Sequence, residues 1–317
     1  MLKKGRLMRI CVAGIGGIGG IVGGLLAKKY ADISFIARGE RKKMVSKNGL
    51  SVNSRLWGNF VAHPKIVTDK VDEIETSDVL LICVKSYSLE TICRQIEPLV
   101  GENTLVIPLM NGVTPTEKTQ EYLPKALVAT GVIHISAHSN QDYTIEQLGS
   151  VDKVFLGKKG ATPEVEAKLI KLAEIFKLVG IDCKYTKDIE AVTWAKFLLN
   201  CAFNVITARY LIAVGEIKNT KKYQKELKAL LEETLEVALK KGVNLSPQLV
   251  DEYYKDILED SNPDVSSSMK HDFEKKCKSE IELFGGYVIQ EAKKLDVKVP
   301  VTEEFYKAMK ENSSLIN

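Results

Sequence analysis

Three polar residues interrupt an apolar stretch at a spacing that aligns them. In WAKFLLNCAFNVITARY, Lys196, Asn200 and Asn204 stand at i, i+4 and i+8, so a helix carries all three on one face. Their neighbours Phe197, Leu198, Leu199, Ala202, Phe203, Val205 and Ile206 would bury that helix nearly all round. An ammonium and two amides enclosed without partners cost several kcal/mol, and a polar ligand would supply those partners. The chemistry open to such a stripe is proton donation from the lysine, with the amides holding polar groups of a substrate. The competing reading has these side chains capping backbone carbonyls or meeting water.

A second constellation is built from glycine. The stretch CVAGIGGIGGIVGG, Cys11 to Gly24, holds seven glycines in fourteen residues. The pattern G-x-G-x-x-G fits in one register, at Gly14, Gly16 and Gly19, with Gly17 inside the turn; a start at Gly17 would put Val22 in the last glycine position. In a dinucleotide-binding turn the first glycine makes the bend and the second admits the pyrophosphate. The third packs helix on strand, and free N–H groups at the helix start hold the phosphate. Twenty-two residues after Gly16 (38 − 16) the next β-rich run, DISFIAR, ends in Arg38, with Arg41 and Lys42 following. A carboxylate there would hold the ribose hydroxyls of NAD, whereas a guanidinium pairs with a 2′-phosphate, so NADPH/NADP+ is the expected cofactor.

Further polar residues stand where such a site needs them. Lys85 follows DVLLICV and Asn111 follows TLVIPLM, both just past the ends of expected strands, where open α/β sheets bind ligands. Ser268 and Asp272 are four apart in SSSMKHD, and Glu280 follows in SEIELFGGY.

The elements that must position these groups divide the chain in two. From MRICVA to DCKY, short apolar runs alternate with helical patterns, predicting βαβ units and a mainly parallel sheet, with a hairpin-like GLSVNSRLWGNFVAHPKIV and an amphipathic helix ending at Gly180. From Ile189 onward only helical periodicity remains, including one long pattern over SSSMKHDFEKKCKSEIELFGGYVIQEAKKLD. The expected organisation is an α/β, Rossmann-like dinucleotide-binding domain over 1–186 and an all-helical substrate domain over 187–317. Gly23 and Gly24 fall inside the first helix, where each costs about 1 kcal/mol against Ala, which predicts close packing there.

Composition restricts the function classes. The 317 residues are 45% hydrophobic and 27% charged, with a net charge of +4 and no dense Lys/Arg run, which argues against nucleic acid as a partner. No apolar stretch approaches the roughly 18 residues of a membrane span. MLKKGRLMRI has charge but no apolar core, so a cytoplasmic location is expected. Six scattered cysteines, without a CxxC pair, read as buried free thiols, and His134 and His138 are too few to propose a metal site.

With these pieces assembled, the chain resembles the ketopantoate reductases (2-dehydropantoate 2-reductases) over nearly its whole length. The resemblance is carried by GIGGIG, Arg38, VKSY at Lys85, NG at Asn111, WAKFLLNCAFNVITA and SSSM…D…SEIELFGGYV. It implies NADPH-dependent reduction of ketopantoate to pantoate, on the route to pantothenate and coenzyme A. It also implies Lys196 as general acid, Glu280 as the second important acidic side chain, and Asn200, Asn204 and Ser268 as substrate contacts. Lys85 and Asn111 would lie where cofactor and substrate meet. Met110 stands where the family often has Gln, and FEKKCK where it is richer in Arg and Pro; both departures bear on the substrate. A related reductase of another 2-keto acid and a non-catalytic NADP(H)-binding regulator are the alternatives. The expected partner is a small 2-keto acid, and the expected assembly a monomer or homodimer.

Overall fold

The structure, a computed structural model, describes residues 8–313; the N-terminal residues before Met8, part of the stretch read above as carrying no leader, lie outside it. The chain forms two compact units, the first ending at Ile189 and the second beginning at Glu190.

The first unit is α/β. Its elements begin with β1 (Ile10–Ala13), α1 (Gly17–Lys29), β2 (Ile33–Ile36), α2 (Gly39–Asn48), β3 (Leu50–Ser54), β4 (Phe60–Ala62) and β5 (Ile66–Thr68). They continue through β6 (Val79–Ile82), α3 (Leu89–Ile96), β7 (Leu105–Pro108), α4 (Pro115–Tyr122) and β8 (Leu127–Val128). Then come β9 (Thr130–Ile133), β10 (Ser136–Ser139), β11 (Ile145–Leu148), β12 (Lys153–Gly157), α5 (Pro163–Leu178) and β13 (Asp182–Tyr185).

Six strands form an all-parallel sheet in the order β5-β2-β1-β6-β7-β8. This order reverses direction between β1 and β6, the kind of switch point at which doubly wound folds bind ligands beyond the carboxyl ends of their strands. Both faces are covered, as the continuous apolar runs require. Ile10 and Val12 of β1 enter one core, with residues of α1 and α5; Cys11 and Ala13 enter the other, with residues of α3.

Two smaller sheets modify the expectation of a single mainly parallel one. β10-β11-β3-β4 and β13-β12-β9 mix parallel and antiparallel pairs. The hairpin-like segment does make the β3–β4 hairpin, but its tail, β5, joins the edge of the parallel sheet.

The second unit is helical: α6 (Ile189–Tyr210), which starts one residue before it, α7 (Val214–Asn219), α8 (Lys221–Lys240), α9 (Leu249–Lys255), α10 (Ser268–Glu274), α11 (Tyr287–Leu295) and α12 (Pro300–Ser313). The sequence expectation of no membrane-length apolar segment needs correcting at α6. By length and composition this helix could cross a bilayer, with a mean hydropathy of 1.3 over its best window. Its apolar surface is instead spent on packing, because 56% of that window is buried in protein. Trp194 and Phe197 meet edge-on at 5.4 Å, and Phe197 meets Tyr287 edge-on at 5.6 Å and Phe284 at 6.2 Å.

Five of the six cysteines are buried as expected; Cys277 is exposed.

Candidate functional site

The glycine turn begins where β1 ends. Gly14 has φ +93°, and a Cβ there would lie 2.6 Å from Val84 Cγ1 and 2.9 Å from the carbonyl oxygen of Cys83. Only glycine tolerates both constraints. A Cβ on Gly19 would collide with the carbonyl oxygen of Gly14, and one on Gly17 with that of Ala137. Gly16 differs from these, because nothing lies within 4 Å of its Cβ position. The turn is therefore tightly packed behind and open at Gly16.

Gly16 is also the N-cap of α1. No side chain caps this helix, and its first turn carries no acidic residue. The helix thus presents free N–H groups and a positive dipole end beside the open glycine, an arrangement that fits a phosphate. Farther along α1, a Cβ on Gly23 would lie 2.7 Å from Phe35 Cε1, and one on Gly24 3.2 Å from Val52 Cγ2. The close packing expected at these glycines is present, against β2 and β3 of the same unit.

Arg38, Lys85 and Asn111 follow β2, β6 and β7, so with the glycine turn they occupy the carboxyl ends of four consecutive strands, β2-β1-β6-β7. Neighbouring strands are about 4.8 Å apart, which brings this row within reach of one extended ligand. Arg38 is exposed at the N-cap of α2, and its guanidinium makes no hydrogen bond or ion pair among the described residues. The other basic groups are engaged: Lys42 pairs with Asp69 at 2.7 Å. Lys85 and Asn111 are partly buried, and Gly112 after Asn111 has φ +97°.

Sequence reasoning passed over Arg41 as one more basic residue. Its guanidinium donates to the carbonyl of Ile15, inside the glycine turn, and to Ser139 Oγ at 3.0 Å, and lies 5.2 Å from the ring centre of Tyr143. The available signal was its place one helical turn after Arg38.

In the second unit, α6 carries Lys196, Asn200 and Asn204 on one face, as the spacing predicts. Lys196 is partly buried. Desolvation lowers the pKa of its ammonium from 10.5 to about 8, while the negative charge of Glu280 acts to raise it. The amide nitrogen of Asn200 is buried and has no hydrogen-bond partner. Asn204 is 6% exposed, as is Glu280. The Asn200 amide nitrogen therefore caps no carbonyl, contrary to the first half of the competing reading.

The single long helix predicted from Ser266 to Asp296 is broken. α10 ends at Glu274, Lys276 takes φ +51°, and the Cys277 N–H bonds back to the Asp272 carbonyl at 2.8 Å. The cause is local: the left-handed Lys276 turns the chain out of the helix, and the bonds from Lys276 N–H to Phe273 and from Cys277 N–H to Asp272 close that end. The helix resumes as a π-type turn, Glu282–Gly286, whose two glycines weaken the regular ladder. Glu280 sits in the intervening turn, its carbonyl accepting from the N–H groups of Leu283 and Phe284. Ser268, the first residue of α10, is exposed, and Asp272 is partly buried.

The sequence matches two family models, "Ketopantoate reductase PanE/ApbA" over residues 10–160 and "Ketopantoate reductase PanE/ApbA C terminal" over residues 188–313. It is 27% identical over 316 residues to the 2-dehydropantoate 2-reductase of Aquifex aeolicus, covering 98% of each chain. It is 28% identical to a Bacillus subtilis protein named uncharacterized oxidoreductase YkpB, covering 94% of this chain and 97% of that one. Its fold also matches that of D-mandelate dehydrogenase, solved with NADH and anilino(oxo)acetate, at a TM-score of 0.88 and 20% identity over 98% of this chain and all of the other. The chain belongs to the ketopantoate reductase PanE/ApbA family of oxidoreductases.

Proposed function

We propose that this protein reduces a 2-keto acid with NADPH, and that the keto acid is 2-dehydropantoate, giving pantoate. The observation that carries the reading is on α6: a lysine brought to a pKa of about 8, one helical turn from a buried amide nitrogen with no partner. That pairing supplies a proton donor poised near neutrality beside a hydrogen-bond donor awaiting an acceptor.

In this reading the dinucleotide-binding domain, expected over 1–186, holds the cofactor and the helical domain, expected over 187–317, acts on substrate. Gly14, Gly16, Gly17 and Gly19 with the start of α1 would hold the pyrophosphate, Arg38 the 2′-phosphate, and Lys85 and Asn111 the nicotinamide end. When bound, the reduced nicotinamide supplies the hydride that converts the ketone carbon to an alcohol carbon. Lys196 Nζ gives a proton to the ketone oxygen as negative charge develops on it, and regains one from solvent. Glu280 keeps the ammonium charged by opposing the desolvation that lowers its pKa. The Asn200 amide donates to a substrate oxygen, and Asn204 and Ser268 hold its hydroxyl and carboxylate. Donors committed in this way reject substrates lacking the matching groups.

The Aquifex aeolicus relative, named for the pantoate reaction, supports this substrate. A second reading, reduction of a different 2-keto acid, rests on Met110, 8% exposed just before Asn111, where the resemblance calls for Gln. Both readings are separated by following NADPH absorbance with ketopantoate and a panel of other 2-keto acids. Turnover highest with ketopantoate supports the first reading, and turnover only with another acid supports the second. NADPH binding without turnover on any keto acid overturns both and leaves a non-catalytic binding protein.

A further inference from the structure

The polar face of α6 continues beyond Asn204 to Thr207, and there it is tied to another helix. Thr207 is fully buried and Ser267 is 3% exposed, sixty residues away in sequence. Thr207 Oγ1 lies 2.6 Å from the carbonyl oxygen of Phe203 and 2.7 Å from Ser267 Oγ. A hydroxyl has one proton, and a carbonyl can only accept. Thr207 is therefore the donor throughout, sharing its proton between the Phe203 carbonyl and Ser267 Oγ, with the Asn204 carbonyl farther off at 3.3 Å. Ser267 Oγ in turn accepts the N–H of Lys270 at 3.1 Å, as the N-cap of α10. The result is a short hydrogen-bonded chain centred on two hydroxyls: Ser267 Oγ accepts from both Thr207 Oγ1 and the Lys270 N–H, and Thr207 ties that point to the Phe203 carbonyl of α6.

This chain holds the start of α10 against α6 at one point. Ser267 and Met269 are 3% and 1% exposed, while Ser268 between them is exposed. Residues 100° apart around a helix cannot all face inward, so anchoring the first and third turns the second outward. Thr207 is itself one helical turn from Asn204.

We propose that Thr207 and Ser267 are positioning residues: their hydroxyl chain sets the place of Ser268 relative to Asn200 and Asn204, and so the affinity for the keto acid. The inference rests on the proposed function, in which those three residues contact substrate. The fold does not depend on the hydroxyls alone. Before α10 the chain is also held by backbone bonds from Val214 to Val265 and from Gly215 to Pro263, both 2.9 Å.

The test is steady-state kinetics of the full chain with NADPH and ketopantoate, comparing wild type, Thr207→Val, Thr207→Ser and Ser267→Ala, with NADPH affinity and melting temperature measured alongside. Thr207→Val and Ser267→Ala should each raise KM for the keto acid about tenfold, the worth of one lost hydrogen bond, with kcat within about threefold of wild type. NADPH affinity should be unchanged, and Thr207→Ser should restore the wild-type KM. A Thr207→Val protein that does not fold leaves Ser267→Ala, which keeps the bond within α6, to decide. Wild-type turnover with KM unmoved in Ser267→Ala, or with kcat and KM unmoved while the melting temperature falls, overturns the positioning role alone. Wild type that reduces no keto acid overturns the proposed function and this inference with it.

Discussion

The amide nitrogen of Asn200 lies one turn along α6 from Lys196 and is buried without a hydrogen-bond partner. An unsatisfied buried donor costs about 1–3 kcal/mol, and replacing it by an apolar group of similar shape recovers part of that. Asn200→Leu is therefore expected to stabilise the free protein by about 1 kcal/mol. The same change should lower kcat/KM for the keto acid by about tenfold or more, because the donor is then missing where substrate needs it. Chemical denaturation and steady-state kinetics on one preparation check both. A variant less stable than wild type would mean that the amide has a partner within the protein.

Glu280 and desolvation act oppositely on Lys196, which gives a directional pH prediction. If Lys196 is the acid, reduction should fall as pH rises through about 8. Glu280→Gln removes the charge that raises this pKa, so the falling limb should move to lower pH. Lys196→Ala should abolish most turnover while leaving NADPH binding near normal. Lys196 also links stability to pH. Its folded pKa of about 8 lies below the usual 10.5, so the unfolded chain binds more protons between those values and stability should rise across that window. Lys196→Met should remove this rise. A pH limb that stays put in Glu280→Gln would mean that the two groups are not coupled.

These groups were legible in the sequence to different degrees, for physical reasons. The stripe at Lys196, Asn200 and Asn204 was readable because helical periodicity alone places i, i+4 and i+8 on one face. The glycine turn was readable because steric demands at Gly14 and Gly19 leave no other residue type. The break between Ser268 and Glu280 was not readable. It comes from a left-handed Lys276 and a backbone bond from Cys277 to Asp272, and neither has a periodic signature. The engagement of Arg41 by Ile15 and Ser139 was also hidden, since it spans 26 and 98 residues of sequence. The two smaller sheets went unseen for the same reason: β11 pairs with β3 across more than 90 residues.

Arg38 and Lys42 differ in what occupies them, and this separates their expected effects. Arg38 has no partner among the described residues, whereas Lys42 is committed to Asp69 at 2.7 Å. Arg38→Gln should weaken NADPH binding by roughly 10- to 100-fold, the range of a lost charge-assisted hydrogen bond, with little effect on NADH. Lys42→Gln should change neither much. Fluorescence titration with both dinucleotides measures this. Equal loss for NADPH and NADH in Arg38→Gln would remove the 2′-phosphate from its role.

Gly23 and Gly24 both gain about 1 kcal/mol of helix propensity on becoming Ala, so their surroundings decide the outcome. At Gly23 the new methyl would meet the buried ring of Phe35 at 2.7 and 3.1 Å and Val12 Cγ2 at 3.3 Å. Phe35 and Val12 are both 0% exposed and have no room to move. Overpacking of this kind costs about 1–3 kcal/mol, so Gly23→Ala should lower stability on balance. At Gly24 the nearest atoms are Val52 Cγ2 at 3.2 Å and Phe60 Cε2 at 3.5 Å, the latter on a residue that is only partly buried. The tight contact is with one methyl of the buried Val52 and asks for a shift of a few tenths of an ångström, so Gly24→Ala should cost less than Gly23→Ala and lie near neutral. Thermal melts of the two variants should therefore move apart, with Gly23→Ala below wild type. Equal melting temperatures would mean that α1 can slide on the sheet, and the packing account of these two glycines would fail.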